Sequence, residues 1–529
     1  MYDLIIRNAL IYDGVSSHAY MGHVGIFDGK IVSVGTEPLS GGRKMIDAQG
    51  LSLSSGFIDV HSHSDYCLYK DPHRQHVLQM GVTTEISGQC GNSISPAPSS
   101  MSAETRKYLA SRGSPLFETM EEHLKTLSCW ELGPNQLHFT GHGLLRGGAM
   151  ELRADRAGEK EILKMQEALE KAVLQGSAGL STGLSYVPGI YSDSHELIEL
   201  AKAAARAGGM YVTHSRSESM GLFDSVQECI AIALEASVPV NISHFKCVGK
   251  VFWDRCQEAL EMIDSAIARG ADITLDAYPY TAASTTTLSA IPARFLDRGA
   301  EAFARDLENP EIVRQIRKEI YEINDPSWDN SMYYVGLDKF LIVRAEQTPW
   351  AVGKTYAQIG EELGMDPFDA VIYLLKANHG CVYECRHSMC EENVEMILKH
   401  PKCMVGSDGL YVPGDLSCHP RAFGTFPRYL GRYIRQKQLL SREEGIRRLT
   451  DMPARRYGLT GKGRIQEGYD ADLVLFDYDT ILDRADYMDP MKPNIGIYQV
   501  YMNGQLVLEN NEPTGSWHGK YLGKTKKKM

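Results

Sequence analysis

Near the N-terminus apolar and polar positions alternate in short bursts, DLIIRNALIYDG and then GHVGIFDGKIVSVG, and this period of two predicts strands with one buried face. Asp28-Gly29 stands between the apolar runs Val24 to Phe27 and Ile31 to Val34. It predicts a hairpin, because an Asp-Gly turn carries the twist of the strands it joins. The same pattern returns at the other end in ADLVLFD and QVYMNGQLVLEN, where Asn503-Gly504 predicts a second hairpin turn. Two β-rich ends separated by the whole middle of the chain predict one discontinuous domain, a small β-sandwich assembled from residues 1–54 and 456–529.

Between the ends the period changes. GEKEILKMQEALEKAVLQG sets Ile162, Met165, Leu169 and Val173 at helical spacing and stops at Gly176. Asp193 with Glu196 makes a capping-box-like start to ELIELAKAAARA, which Gly208-Gly209 ends before the strand MYVTH. Further helices lead to VPVNISH and to ADITLDAYPY. Strand-to-strand intervals of roughly thirty residues are the βα period of a parallel barrel. Residues 55–455 are therefore expected to form a (β/α)8 TIM-like barrel, which makes the fold class α/β.

In such a barrel chemistry sits where the strands end. His61 and His63 close the run GFIDV, and side chains two apart on a strand share a face, so both imidazoles aim at one point. His214 ends MYVTH, His244 ends VPVNISH, Asp408 ends KCMVGSD, and Cys90 follows GVTTEIS within GQCGNS. Taken singly, Cys90 reads as a small buried hydrophobe, each histidine as a core residue, and Asp408 before Gly409 as a turn former. Their common placement at strand ends favours one metal centre. A thiolate among imidazoles and a carboxylate selects zinc over magnesium or calcium. His138 and His142, in HFTGHGLLR, end another strand-like run and have no role beyond contacts behind the ligands.

Composition narrows the reading. A chain of 529 residues, 43% hydrophobic and 23% charged, suits a large barrel enzyme with a second, smaller domain. A net charge of −12 argues against a nucleic-acid partner, which needs clustered Lys and Arg. The one basic run, Lys524 with Lys526, Lys527 and Lys528, reads as a solvated tail. No apolar stretch reaches the roughly eighteen residues of a membrane span, and MYDLIIRNAL lacks a signal-peptide layout. A cytoplasmic protein is expected. Its eleven scattered cysteines fit reduced thiols better than a disulfide framework.

SGFIDVHSHSD resembles the metal-binding opening of the amidohydrolase superfamily. TTEISGQCGNS, GLSTGLSYVPG, YVTHSRSES, ISHFKC, DAYPYTAAST, GSDG and HPRAFGTFPRYLG follow in order, between about residues 2 and 523, and together resemble the N-acyl-D-amino-acid deacylases, or D-aminoacylases. HPRAFGTFPRYLG, and a cysteine where the superfamily carries a carbamoylated lysine, mark this branch. The resemblance implies that Cys90, His214 and His244 hold a tightly bound zinc. His61, His63 and Asp408 then frame a second position, with Cys90 able to bridge. It implies that Asp408 is the general base and acid, and that Lys246, Tyr278, Ser284 and Arg421 grip the substrate's α-carboxylate. The implied reaction is zinc-dependent hydrolysis of an N-acyl-D-amino acid to a carboxylate and a free D-amino acid. An anionic substrate needs local cations in a protein of net charge −12, and Lys246 and Arg421 supply them.

Ser55 stands where relatives usually have proline, and Gln89 and Asn92 where they often have asparagine and phenylalanine. The loop LYVPGDLSC, between Asp408 and His419, is slightly longer than usual, which bears on the reach of Arg421. ARFLDRGAEAFARDLENPEIVRQIRKEI resembles a small helical insertion, expected around residues 288–345, that covers the site. If its Arg294 or Arg298 points inward, the pocket favours an acidic N-acyl-D-glutamate or N-acyl-D-aspartate; if outward, they lie on a solvated helix face. Two other readings compete. A cyclic-amide hydrolase of the hydantoinase or dihydroorotase kind normally bridges two metals with a modified lysine, and Cys90 speaks against it. A non-catalytic barrel would have an eroded ligand set, whereas every ligand and Asp408 are present.

Overall fold

A computed structural model of the protein describes residues 1–110, 114–323, 325, 328–414 and 418–523. The basic run at Lys524 to Lys528, and residues 415–417 of the loop LYVPGDLSC, lie outside the described residues.

Eight short parallel strands carry the middle of the chain: β1 (Phe57–Asp59), β2 (Val82–Ser87), β3 (Asn135–His138, continued by Thr140–Gly141), β4 (Gly179–Gly183), β5 (Met210–His214), β6 (Val240–Ile242), β7 (Ile273–Ala277) and β8 (Cys403–Val405). Each pairs in parallel with the next. The ring closes where the Asp408 N–H donates to the His61 carbonyl at 2.7 Å and the His63 N–H to the Gly409 carbonyl at 3.0 Å. The α/β class and the barrel thus follow the expected βα period. The strands are buried on both faces, which is why VTTEIS and ITLDA show no alternation of apolar and polar positions.

The helices bury the stripes their spacing predicts, Ile162, Met165, Leu169 and Val173 on the helix Glu159–Leu174 among them. At the helix Ser194–Ala207 the capping box is only half made. Asp193 Oδ1 accepts from the Glu196 N–H at 3.0 Å, but the Glu196 carboxylate turns inward to His142 Nε2 at 2.7 Å and Arg146 Nε at 3.2 Å. The fully buried Arg146 needs a counter-charge more than the helix start needs a second acceptor.

The terminal domain is a nine-stranded sheet built from both ends of the chain. Ser52–Ser55 runs antiparallel to Leu473–Phe476, with Ser54 opposite Val474. Both predicted hairpins form, and Asp28, Gly29, Asn503 and Gly504 all have positive φ, as a two-residue type I′ turn requires. A separate apolar core, including Phe303, Ile316, Phe340, Tyr356 and Phe368, underlies the insertion. Sequence predicted a small helical insertion around residues 288–345, flanked by no strands of its own. The structure adds three short antiparallel strands, Ala283–Thr286, Phe340–Arg344 and Tyr383–Arg386. The first reads Ala-Ser-Thr-Thr, and only pairing with a distant partner makes it a strand. Among the described residues no helix is long and apolar enough to cross a membrane.

Phe117, His123 and His138 stack in series, with ring centroids 5.0 and 4.9 Å apart, and Tyr521 meets His138 edge to face at 5.3 Å. Burial pushes the His123 imidazole down to about 3. An unfolded histidine takes its proton near pH 6.5, so this burial leaves stability intact above that pH and removes it as pH falls from about 6.5 toward 3. At pH 5 the loss is about 2 kcal/mol. Urea unfolding should therefore lose about that much more between pH 7.5 and pH 5 in the wild type than in His123→Phe. Equal losses in the two proteins would remove this explanation.

Candidate metal centre and active site

At the C-terminal rim of the barrel, Cys90 Sγ lies 3.4 Å from His61 Nε2 and 3.3 Å from His244 Nε2. Sulfur and nitrogen sharing one tetrahedral zinc, at about 2.3 and 2.0 Å from it, stand about 3.5 Å apart. Asp408 Oδ1 is 3.1 Å from His63 Nε2 and 3.5 Å from His61 Nε2. The His214 ring meets that of His244 edge to face, centroids 4.5 Å apart. Its Nδ1 is buried without a hydrogen-bond partner, and its Nε2 shares a 2.8 Å hydrogen bond with Ser185 Oγ. The structure thus brings together His61, His63, Cys90, His214, His244 and Asp408, which sequence places far apart. The donor set, the sulfur-to-nitrogen spacing and the unpartnered imidazole nitrogen all fit zinc.

Three of these residues sit in the left-handed region, with φ of +54° at Cys90, +35° at His244 and +50° at Asp408. The chain turns over directly after each strand, and each such residue carries a cost on the order of 1–3 kcal/mol. Gly88 and Gly91 make the turn at Cys90 feasible. A Cβ on Gly88 would stand 2.3 Å from the Phe139 carbonyl oxygen, and one on Gly91 2.5 Å from the Gly183 nitrogen.

Electrostatics prepare the donors. Burial alone would raise the Cys90 thiol, but the charges of His61 and His244 and a hydrogen bond from His244 hold it well below the usual thiol range. Burial would likewise raise Asp408, yet the Arg421 guanidinium, with His244 and His63, holds its carboxyl well below the usual carboxylate range. A thiolate and a carboxylate at neutral pH are the forms a metal binds.

The residues expected to grip a carboxylate surround Tyr278. Arg421 Nη1 is 2.8 Å from Asp408 Oδ2, its Nη2 donates to the Ser284 carbonyl at 3.2 Å, and its guanidinium lies 4.7 Å from the Tyr278 ring centroid. Lys246 Nζ approaches the same ring at 5.8 Å. The Tyr278 hydroxyl is buried without a hydrogen-bond partner. His63, Cys90, Lys246, Tyr278, Ser284 and Arg421 all line one cavity of about 570 Å³ that reaches from the metal-ligand cluster to the insertion. Arg294 pairs with Glu319 and Arg298 with Asp306, and both arginines are mostly exposed, at 58% and 64%. They lie on solvated faces, although Arg298 borders the cavity mouth.

Residues 44–508 match the model of the amidohydrolase family. The chain is 31% identical to a D-aminoacylase of Alcaligenes xylosoxydans xylosoxydans over 524 residues, which is 99% of this chain and 98% of that protein. The crystal structure of the N-acyl-D-glutamate deacylase of Bordetella bronchiseptica, holding zinc and a phosphonate mimic of the tetrahedral intermediate, superposes with a TM-score of 0.84. It is 31% identical, and the match covers 99% of this chain and all of that one. The chain belongs to the amidohydrolase family, in its N-acyl-D-amino-acid deacylase branch. The L-hydantoinase of Arthrobacter aurescens shares only the fold, at 14% identity and a TM-score of 0.58 with 99% of this chain and all of that one covered.

In this amidohydrolase two buried carboxylates behind the centre escaped the sequence reading. Asp276, at the end of β7, accepts from the His244 N–H at 2.8 Å and from Asn241 Nδ2 at 2.6 Å, and lies 3.3 Å from His61 Nδ1. A carboxylate inside the apolar strand ITLDA was the available signal, because a buried charge implies partners. Glu218, in HSRSES, reaches His244 and Lys246, and no local pattern distinguishes it from a solvated loop residue. Its carboxyl, which burial would raise, is pulled down to about 2 by Lys246 and the neighbouring imidazoles. His138, for which sequence offered no role beyond contacts behind the ligands, stacks on His123, and His142 pairs with Glu196.

Proposed function

We propose that this protein hydrolyses the amide bond of N-acyl-D-amino acids, releasing a carboxylate and the free D-amino acid. The observation that carries the reading is a buried sulfur within 3.4 Å of two imidazole nitrogens, beside a carboxylate, in a cavity whose lining includes Lys246 and Arg421. Cys90, His214 and His244 would hold a zinc, and His61, His63 and Asp408 would supply the donors of a second metal position beside it. When bound, zinc supplies Lewis-acid polarisation of the scissile carbonyl and makes water acidic enough to attack near neutral pH.

The chain's own residues do the rest. Arg421 and Lys246, at 4.7 and 5.8 Å from the Tyr278 ring centroid, bind the substrate's α-carboxylate, and the unpaired Tyr278 hydroxyl donates to it. The same α-carboxylate competes with Asp408 for Arg421, so substrate binding loosens the contact that holds Asp408 acidic. Asp408 Oδ1 takes the proton of the attacking water and delivers it to the leaving nitrogen, without which an amine is too poor a leaving group. Ser284 closes the cavity beside Arg421 through its backbone carbonyl. Fixing the carboxylate, the carbonyl and the side chain at three points admits one enantiomer, and the D preference is that of the relatives' named substrates. The terminal sheet of residues 1–54 and 456–529 frames the 55–455 barrel, and the insertion roofs the cavity. The buried free thiols Cys229, Cys256 and Cys403 support a reducing, cytoplasmic setting.

With Arg294 and Arg298 paired outside, an acidic side chain gains no partner from either. A panel of N-acetylated D- and L-amino acids tests both points. The D-methionine derivative is expected to be cleaved at least tenfold faster in kcat/KM than D-glutamate, a difference of about 1.4 kcal/mol, with the L-series inert. Turnover of L-substrates, or of hydantoins alone, would overturn the reading.

A further inference from the structure

Lys246 is buried, and its ammonium has three N–H donors. Glu218 Oε1 takes one at 2.5 Å and the His244 carbonyl another at 2.9 Å, while His244 Nδ1 lies 2.8 Å from the same nitrogen. The same Glu218 oxygen lies 3.2 Å from His244 Nδ1. One carboxylate oxygen therefore stands between an imidazole that faces Cys90 and an ammonium that faces the cavity. Glu218 is itself fixed from the insertion. Asp329 accepts its N–H at 2.9 Å, the Ser217 hydroxyl at 2.6 Å and the Ser219 hydroxyl at 2.5 Å. Its carbonyl accepts from the Val248 N–H at 2.7 Å.

We propose that Glu218 is a positioning residue with two arms: it orients His244 so that Nε2 points at Cys90, and it holds the Lys246 ammonium at the cavity wall where the substrate's carboxylate arrives. The first arm follows from ligand chemistry. An imidazole that binds a metal through one nitrogen needs a partner at the other to set its tautomer and ring angle, and such partners govern affinity. The second follows from the lysine stem, whose several rotatable bonds leave the charge unplaced unless a short contact fixes it. This arm rests on the deacylase reading above; the His244 arm does not. Asp329 carries the same restraint back to the insertion, so the wall of the cavity and the metal-ligand cluster share one tether.

The test uses Glu218→Gln, Lys246→Met and the double variant. Zinc affinity is read by competition with a chelator, and kcat and KM with N-acetyl-D-methionine. Glu218→Gln is expected to weaken zinc binding about 10–100-fold, in the wild-type and the Lys246→Met background alike. It is also expected to raise KM, with no further rise when Lys246→Met is already present, because that part of its effect passes through the lysine. Unchanged zinc affinity overturns the His244 arm, and additive KM effects overturn the Lys246 arm. If no N-acyl-D-amino acid is turned over, the substrate reading fails while chelator competition still decides the His244 arm. Should Glu218→Gln not fold, Asp329→Asn loosens the same loop and is expected to move zinc affinity and KM in the same directions. Wild-type values there overturn the proposal.

Discussion

Cys90→Ser is expected to strip the protein of zinc and of nearly all activity together. The sulfur is in contact with imidazoles from two distant barrel strands, at 3.4 Å from His61 and 3.3 Å from His244. A four-ligand zinc site binds with about 10–16 kcal/mol, so one ligand is worth about 3–4 kcal/mol, a several-hundred-fold loss of affinity. A serine hydroxyl does not ionise at neutral pH and gives back little of this. Metal content after dialysis and kcat/KM should fall in parallel, while the melting curve with excess zinc stays near that of the wild type. A Cys90→Ser protein that keeps its zinc would place the metal elsewhere.

Asp408→Asn should behave in the opposite way, keeping metal and losing chemistry. Its side chain is isosteric, and Cys90, His214 and His244 remain to hold zinc. What disappears is the group that accepts and returns the proton, and general acid–base catalysis is worth about 10²–10⁴-fold. The loss should appear in kcat, with KM within a few-fold, because Arg421 is freed from its 2.8 Å contact with Asp408 and stays available to the substrate. Wild-type kcat in this variant would move the proton transfer to another residue.

Both experiments concern residues that sequence located, and it is instructive where that legibility ends. The barrel was readable because parallel strands repeat with a fixed βα period, and the rim because function sits at strand ends. Hence His61, His214, His244 and Asp408 could be placed from MYVTH, VPVNISH and their like alone. Cys90 was placed by its position after the strand GVTTEIS, but nothing in its immediate neighbours separates a ligand from a core thiol, and the resemblance of GQCGNS sharpened its role. Glu218 was invisible because its meaning lies in a pair formed across dozens of intervening residues, with Lys246, and a carboxylate inside ITLDA signalled that Asp276 needs partners without naming His244 as one. The left-handed backbone at Cys90, His244 and Asp408 was equally hidden, as such a conformation is announced by glycine or asparagine, and none stands at those positions. Ala283–Thr286 became a strand through its partner rather than its composition.

The sheet that joins the two ends has a consequence for how the molecule is made. Ser52–Ser55 leads through Gly56 directly into β1, the strand that delivers His61 and His63 to the rim, and one of its two neighbours is Leu473–Phe476. During synthesis the N-terminal strands leave the ribosome with that side bare, a row of unsatisfied backbone groups open to any passing chain until the final segment arrives. Chains cut short before Leu473 should therefore precipitate rather than yield a free barrel, and the late emergence of Leu473–Phe476 becomes the event that seats the first pair of histidines.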